Sequence, residues 1–157
     1  MSHQKFMQLA IDEAMKNVIS GDGGPFGACI VKDGQVLAVG RNTVLSNHNP
    51  TQHAEINAIS AATSKLGNHL LSDCIVYSTT EPCPMCFSAI HWSNAKRIVF
   101  GTRIEDVAAM GFNELSISNE VMKEKGNSKL IIEAGVEREA CLALLKTWQD
   151  KQAGNTY

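Results

Sequence analysis

The chain has no apolar run long enough to span a bilayer. Its first residues, Met1 to Phe6, lack the apolar stretch of a secretory signal. Both absences predict a cytoplasmic protein without membrane contact. A basic cluster is missing as well. Lys and Arg total 14 against 16 Asp and Glu, the net charge is −2, and the densest basic stretch is the pair Lys96-Arg97. Non-specific nucleic-acid binding depends on clustered cations that neutralise phosphates, so a large RNA substrate is disfavoured. The five cysteines are an odd number in a cytosolic-looking chain, which argues against a disulfide framework. Cys29, Cys74 and Cys141 lie in apolar segments and read as buried small side chains. No repeat, low-complexity stretch or linker interrupts the 157 residues, a length that suits one compact domain over 1–157.

What is present has the rhythm of an α/β protein. Phe6, Leu9, Ala10, Ala14, Met15 and Val18 recur at helical spacing between Ser2 and Ser20, and Gly21 to Pro25 ends that helix. Phe26–Val31 and Val36–Asn42 read as a hairpin around Lys32-Asp33-Gly34-Gln35. A polar loop from Thr43 to Gln52 leads to a helix opened by His53 and running to about Leu66. Cys74–Thr79, Arg97–Gly101 and Lys129–Glu133 read as strands. Met85–Trp92, Ile104–Met110 and Arg138 to about Lys151 read as helices, with Gly111–Ser118 a loop. Strands alternating with helices in the second half predict parallel crossover units. The expected architecture is three-layer α/β/α, a mixed five-stranded sheet with helices on both faces.

Two short segments carry chemistry: His53-Ala54-Glu55 and, about thirty positions on, Pro82-Cys83-Pro84-Met85-Cys86. One imidazole and two thiolates are good zinc ligands, and three protein ligands leave a fourth position open for water, the mark of a catalytic rather than a structural site. No second Cys-x-x-Cys and no histidine at finger spacing completes a closed site. Cys83 and Cys86 are three apart and share one side of a first helical turn, where the helix start favours the thiolate. Pro84 suits that turn because its missing N–H is no loss there. His53 and Glu55 are two apart, so both reach one point only if His53 stands at the start of its helix. Two thiolates cancel the charge of zinc, so the water needs a base beside it, and Glu55 fits that role. The bland readings are a Cys-x-x-Cys redox or zinc-storage pair and a structural histidine; they leave Glu55 unexplained.

The order H-x-E then P-C-x-x-C is the signature of zinc-dependent base deaminases. With Gly24-Pro25-Phe26-Gly27-Ala28, Asn42 and Glu81-Pro82-Cys83-Pro84-Met85-Cys86, the chain resembles the bacterial nucleobase deaminases of the cytidine-deaminase superfamily along nearly its whole length. That resemblance implies a cytidine-deaminase-like fold, a zinc cofactor, a small nucleobase substrate and a homodimer. Two branches share the motif. The proline inside Cys83-Pro84-Met85-Cys86, Gly111-Phe112 with the acidic Glu114 two positions on, Trp148 and the terminal Tyr157 resemble small guanine deaminases. The nearly neutral tail from Asp150 to Tyr157 departs from the basic tail expected of a tRNA-specific adenosine deaminase. Asn113 in place of an acidic residue, Phe87-Ser88-Ala89, and Arg97-Ile98-Val99-Phe100-Gly101 depart from the guanine branch. Guanine aminohydrolysis is the first reading. A tRNA adenosine deaminase, or an enzyme for another small purine, a guanine nucleoside or a triazine, is the alternative.

The resemblance also marks candidate substrate contacts. Asn42 offers a donor and an acceptor to a purine edge, or is a turn residue. Phe26 stacks on a base, or is core. Trp92 forms a pocket wall, or packs in the core. Glu114 accepts from guanine N–H groups, or is a solvated loop residue. Backbone N–H groups near Ala54 and Cys83 hold the substrate. Tyr157, on a polar tail, folds over a pocket of its own subunit or a neighbour's, or is a loose terminus. His3, His48, His69 and His91 are assigned to structure or solvent.

Overall fold

The computed structural model describes residues 2–152 and 154–157. Among these, six helices and five strands follow one another: α1 His3–Ser20, β1 Gly27–Lys32, β2 Gln35–Arg41, α2 Ala54–Leu66, β3 Ile75–Thr80, α3 Pro84–Trp92, β4 Arg97–Thr102, α4 Ile104–Ala108, α5 Asn119–Gly126, β5 Ile131–Ala134 and α6 Arg138–Gln152. The strands form one sheet in the order β2-β1-β3-β4-β5. β1 pairs antiparallel with both β2 and β3, whereas β3, β4 and β5 run parallel. This is the expected mixed sheet: a hairpin in the first half and crossovers in the second. Asp33 and Gly34 at the hairpin tip both have positive φ, 48° and 75°, as a two-residue turn matched to strand twist requires.

The sheet's alternation sorts its side chains into two cores. Cys29, Val31, Tyr77 and Val99 pack with Phe6, Met7 and Ala10 of α1 and Leu144, Leu145 and Trp148 of α6. Ala28, Ile30, Val76, Ile98 and Phe100 face Ala54, Ala58 and Ala62 of α2 and Phe87 and Ile90 of α3. Each fully buried Ile, Leu, Met or Phe contributes about 1.5–3 kcal/mol. The alanine face of α2 lets that helix lie very close to the sheet: a Cβ at Gly40 would stand 2.7 Å from the Ala58 nitrogen.

α5 has no counterpart in the expected elements. Its sequence, Asn119 to Gly126, is mostly polar and shows no apolar stripe. Its ends carry the signal instead: the Ser118 side chain accepts the Val121 N–H, Glu120 stands in the first turn, Lys123 and Lys125 in the last, and Asn127 closes it with φ 52°. No helix among the described residues is long and apolar enough to cross a membrane.

The antiparallel hairpin decides where a site can form. Gly27 pairs with Arg41, and Ala28 with Ser78. The start of β1, the end of β2 and the end of β3 therefore meet at one edge of the sheet, where α2 and α3 also begin. Binding sites of open α/β sheets lie outside the carboxyl ends of the strands.

Candidate active site

His53 is the residue before the first turn of α2, with extended backbone (φ −67°, ψ 162°), and its side chain makes no capping bond. The ring is free to face the start of α3. Cys83 has the equivalent place before α3 (φ −63°, ψ 168°), with Pro84 opening the helix. His53 Nδ1 lies 3.6 Å from Cys83 Sγ and 3.6 Å from Cys86 Sγ, and the three ligand atoms fall within 4.8 Å of one another. A tetrahedral ion with Zn–N near 2.0–2.1 Å and Zn–S near 2.3 Å holds N and S about 3.6 Å apart. The donor set and its spacing fit zinc.

Cys83 differs sharply from the buried cysteines. Cys29 and Cys141, buried among apolar groups, are pushed up to about 12. Cys83 is pulled down to about 4, chiefly because the Cys86 thiol donates to it, with the His53 ring contributing. Cys86 moves the other way, as the donor of that pair. One buried donor set thus already stabilises negative sulfur, as a cation site requires.

Glu55, in the first turn of α2, is 6% exposed. Burial, and then the negative Cys83, raise its pKa. Its Oε1 lies 2.8 Å from Ser78 Oγ, which is itself 2.6 Å from the Thr80 carbonyl. A hydroxyl has one proton and two acceptor sites. When Glu55 is ionised, Ser78 donates to it. When Glu55 is protonated, Glu55 donates to Ser78, and Ser78 turns its proton to Thr80. The carboxyl stays partnered in both states, which suits a group that takes up and returns protons.

These groups open into a cavity of about 300 Å³, lined also by Phe26, Asn42, Pro50, Thr80, Glu81, Met85, Phe112, Asn113, Glu114, Leu115 and Tyr157. Asn42, 1% exposed, accepts the Tyr157 hydroxyl at 2.6 Å and the Val44 N–H at 3.0 Å through Oδ1. Its Nδ2 has no partner among the described residues. Glu114, in the loop after α4, has its carboxyl raised to about 7, first by burial and then by Cys83. Phe112 stands at the centre of an aromatic cluster, 5.1 Å from Phe26, 5.3 Å from Trp148 and 5.4 Å from Tyr157 between ring centroids. The Asn113 N–H donates to the Tyr157 carbonyl at 3.0 Å. The tail therefore folds over its own chain's cavity.

One expected contact stands elsewhere. Trp92 does not form a wall of this cavity and is not core. It ends α3, nine residues from Cys83 and at the opposite end of the helix, and is 80% exposed. Ala54, expected to contribute through backbone N–H groups, is the first residue of α2 beside His53, with its side chain buried in the core. His91 bonds to Ser128 and His3 to Tyr77, while His48 and His69 are exposed, in keeping with structural or solvent roles.

Glu81 is the main residue that sequence reasoning passed over. It stands in the Glu81-Pro82-Cys83-Pro84-Met85-Cys86 motif with no role assigned, yet its side chain is fully buried and lines the cavity. Oε1 accepts the Asn119 N–H at 2.8 Å and Oε2 the Ile104 N–H at 3.2 Å, with Arg103 Nη1 3.6 Å away. It thus caps the starts of α4 and α5 and brackets the loop that carries Phe112 and Glu114. A charged residue directly ahead of a ligand pair was the available signal.

Two thiols, an imidazole and a buried carboxyl at paired helix starts, on this mixed sheet, define a hydrolytic deaminase acting on a C–N bond. Comparison with known proteins gives the family. The family model described as "cytidine and deoxycytidylate deaminase zinc-binding region" matches residues 1–102, and the chain belongs to that family. It is 44% identical over 123 residues to guanine deaminase of Bacillus subtilis (strain 168), covering 78% of this chain and 79% of that one. The solved guanine deaminase from Nitrosomonas europaea superposes with a TM-score of 0.86 at 31% identity, over 95% of this chain and 85% of that chain. A structure of a protein in complex with 2,6-diaminopurine gives 0.85 at 33% identity, over 95% and 82%.

Proposed function

We propose that this chain is a zinc-dependent guanine aminohydrolase, one domain over residues 1–157, converting guanine and water to xanthine and ammonia. The C2–N bond breaks and a C2–O bond forms, and the protons of water pass to the leaving amine and the ring. The observation that carries the reading is the meeting, in one cavity, of His53 and Cys83, backed by Cys86, with the buried Glu55, an Asn42 donor unpartnered among the described residues, and the Glu114 carboxyl. Its support from outside the molecule is the likeness to guanine deaminases.

His53, Cys83 and Cys86 would hold the zinc, which when bound supplies a Lewis acid that lets water ionise near neutral pH. Glu55 accepts the proton from water and returns it to the departing nitrogen, with Ser78 partnering both forms. Asn42 donates to an acceptor of the purine. Glu114 accepts from guanine N–H groups. Phe26 and Phe112 supply apolar area against the ring, and the Phe112–Tyr157 roof excludes water. The cavity size suits a free base. The protein acts in the cytoplasm on a small nucleobase rather than nucleic acid or membrane, and as a homodimer.

The test measures ammonia release from guanine, from adenine and from an anticodon stem-loop carrying adenosine, together with zinc content and mass in solution. Guanine turnover with about one zinc per chain is expected. Conversion of the stem-loop adenosine with guanine untouched would overturn the substrate reading.

A further inference from the structure

A second cavity lies at the other end of α3. It measures about 500 Å³, against about 300 Å³ for the one at the helix starts, and no residue lines both. Its walls come from the turn before β3, the end of α3, the start of β4 and the segment leading from α5 into β5. Trp92, the last residue of α3, lines it and is 80% exposed. The His91 ring stands 6.3 Å away at 77° and so does not stack on the indole. Ser128, buried, accepts the Leu130 N–H at 3.4 Å and lies 2.9 Å from His91 Nδ1. Among the described residues the hydroxyl proton has only that nitrogen to go to, which leaves the ring proton of His91 on Nε2. A charged ring carries a proton there too, so Nε2 is a donor in either state. Lys96 and Lys129 line the same cavity, and neither has an ion-pair partner among the described residues. Asp73 is the one carboxylate in the lining. Two cations against one anion give this cavity a charge of +1 on a chain whose total is −2.

We propose that this cavity is a second ligand site, which takes a free nucleoside monophosphate. An exposed indole face stacks on a base. Lysines and an imidazole donor suit a phosphate, to which lysine contributes a point charge. A carboxylate accepts from ribose hydroxyls, its recurring partner in nucleotide sites. The base lies on Trp92, the phosphate meets Lys96, Lys129 and His91 Nε2, and the ribose donates to Asp73. The volume lies within the range of small-molecule sites and exceeds that of the cavity read as a free-base site. The negative total charge disfavours a polyanion such as RNA as the occupant. The site does not depend on the reading of the other cavity as a guanine site.

Trp92 reports on its own surroundings, because the other tryptophan, Trp148, is 1% exposed. Guanosine 5′-monophosphate is titrated into the wild type while tryptophan emission is followed, with guanosine, inorganic phosphate and a short single-stranded RNA as separate arms. Saturable quenching by one monophosphate per chain is expected, at least about tenfold tighter than guanosine or phosphate alone. Added salt should weaken it, and excess guanine should leave it unchanged. Calorimetry on W92A and on K96A/K129A should show the affinity reduced about tenfold or more in each. Melting curves and zinc content should stay at wild-type values. Absence of saturable binding, displacement by guanine, preference for the RNA, or undiminished affinity in K96A/K129A would each overturn the proposal. Emission that depends on protein concentration without ligand would show a second copy covering Trp92 and would overturn it as well. None of these results bears on guanine turnover by the wild type.

Discussion

The floor and the roof of the cavity are built by different means. The floor belongs to regular structure: His53 and Cys83 precede helices, Glu55 and Cys86 lie in their first turns, and both helices are seated in the alanine- and phenylalanine-lined core. The roof belongs to the segment between α4 and α5 and to the end of the chain, held by an aromatic cluster, one backbone bond from Asn113 and the Glu81 carboxylate. Their chemistry differs in the same sense. The floor draws a thiol down to about 4, whereas the roof raises Glu114 to about 7 and Tyr157 to about 12, both chiefly by burial. In the floor the negative Cys83 stands beside a Cys86 thiol and a Glu55 carboxyl that are both raised in pKa, and neutral groups of the roof cover it. On the proposed function, reaction type would reside in the floor and ligand choice in the roof, on the kind of segment that moves most easily.

The largest expected effects sharpen this division within the floor. Glu55→Gln should lower turnover by roughly 10²–10⁴ while zinc and fold persist, because it removes the proton carrier alone. Cys83→Ala should lose both zinc and thermal stability, since metal binding contributes to folding. Elemental analysis and a melting curve separate the two variants, and full zinc content in Cys83→Ala would refute the ligand assignment.

Next in size is a change that should break the comparison by reaching both regions. Glu81→Ala leaves the Asn119 and Ile104 N–H groups without their buried acceptor, at about 1–3 kcal/mol for each such group. The melting temperature should drop and the KM for guanine rise more than kcat falls, because the roof is displaced from an intact floor. An unaltered KM would show that Glu81 supports the fold without setting the roof.

A smaller effect is written in pH. Folding raises the Glu114 carboxyl from its ordinary 4.5 to about 7, so the folded state holds that proton more tightly. The corresponding stability is fully present below about pH 4.5, declines as pH rises through 7, and is level above that. Glu114→Gln removes the dependence. Relative to the wild type, the variant should gain melting temperature from pH 5 to pH 8, and its guanine kinetics should weaken at unchanged zinc content. Parallel melting profiles would place the group in solvent. Smallest of all is Trp92→Ala. An exposed ring outside both floor and roof should leave stability within about 0.5 kcal/mol and guanine kinetics unchanged; a large rise in KM would return Trp92 to the site.

Legibility followed the same boundary. The floor could be read because a helix start has a local code: an extended residue, a proline where no N–H is needed, and ligands three apart. The hairpin and the crossovers were readable from periodicity and from Asp33-Gly34. α5 escaped because it lacks an apolar stripe and is marked only at its ends. Trp92 was misplaced because adjacency to Cys86 along a helix says nothing of which end of that helix faces the cavity. Glu81 was missed because its partners, Asn119 and Ile104, lie 38 and 23 residues away.

The sequence by itself determined the His53, Cys83 and Cys86 donor set, the glutamate beside it, the mixed five-stranded sheet implied by hairpin and crossovers, and the burial of Cys29, Cys74 and Cys141, since each depends on short-range spacing and side-chain polarity. Tertiary structure alone decided that Tyr157 returns to Asn42 across 115 residues, that Glu81 ties the ligand loop to the roof, and that Glu114 is shielded enough to hold a proton near neutrality. Those outcomes depend on hydrogen-bond partners and desolvation assembled from distant parts of the chain, and no local pattern encodes them.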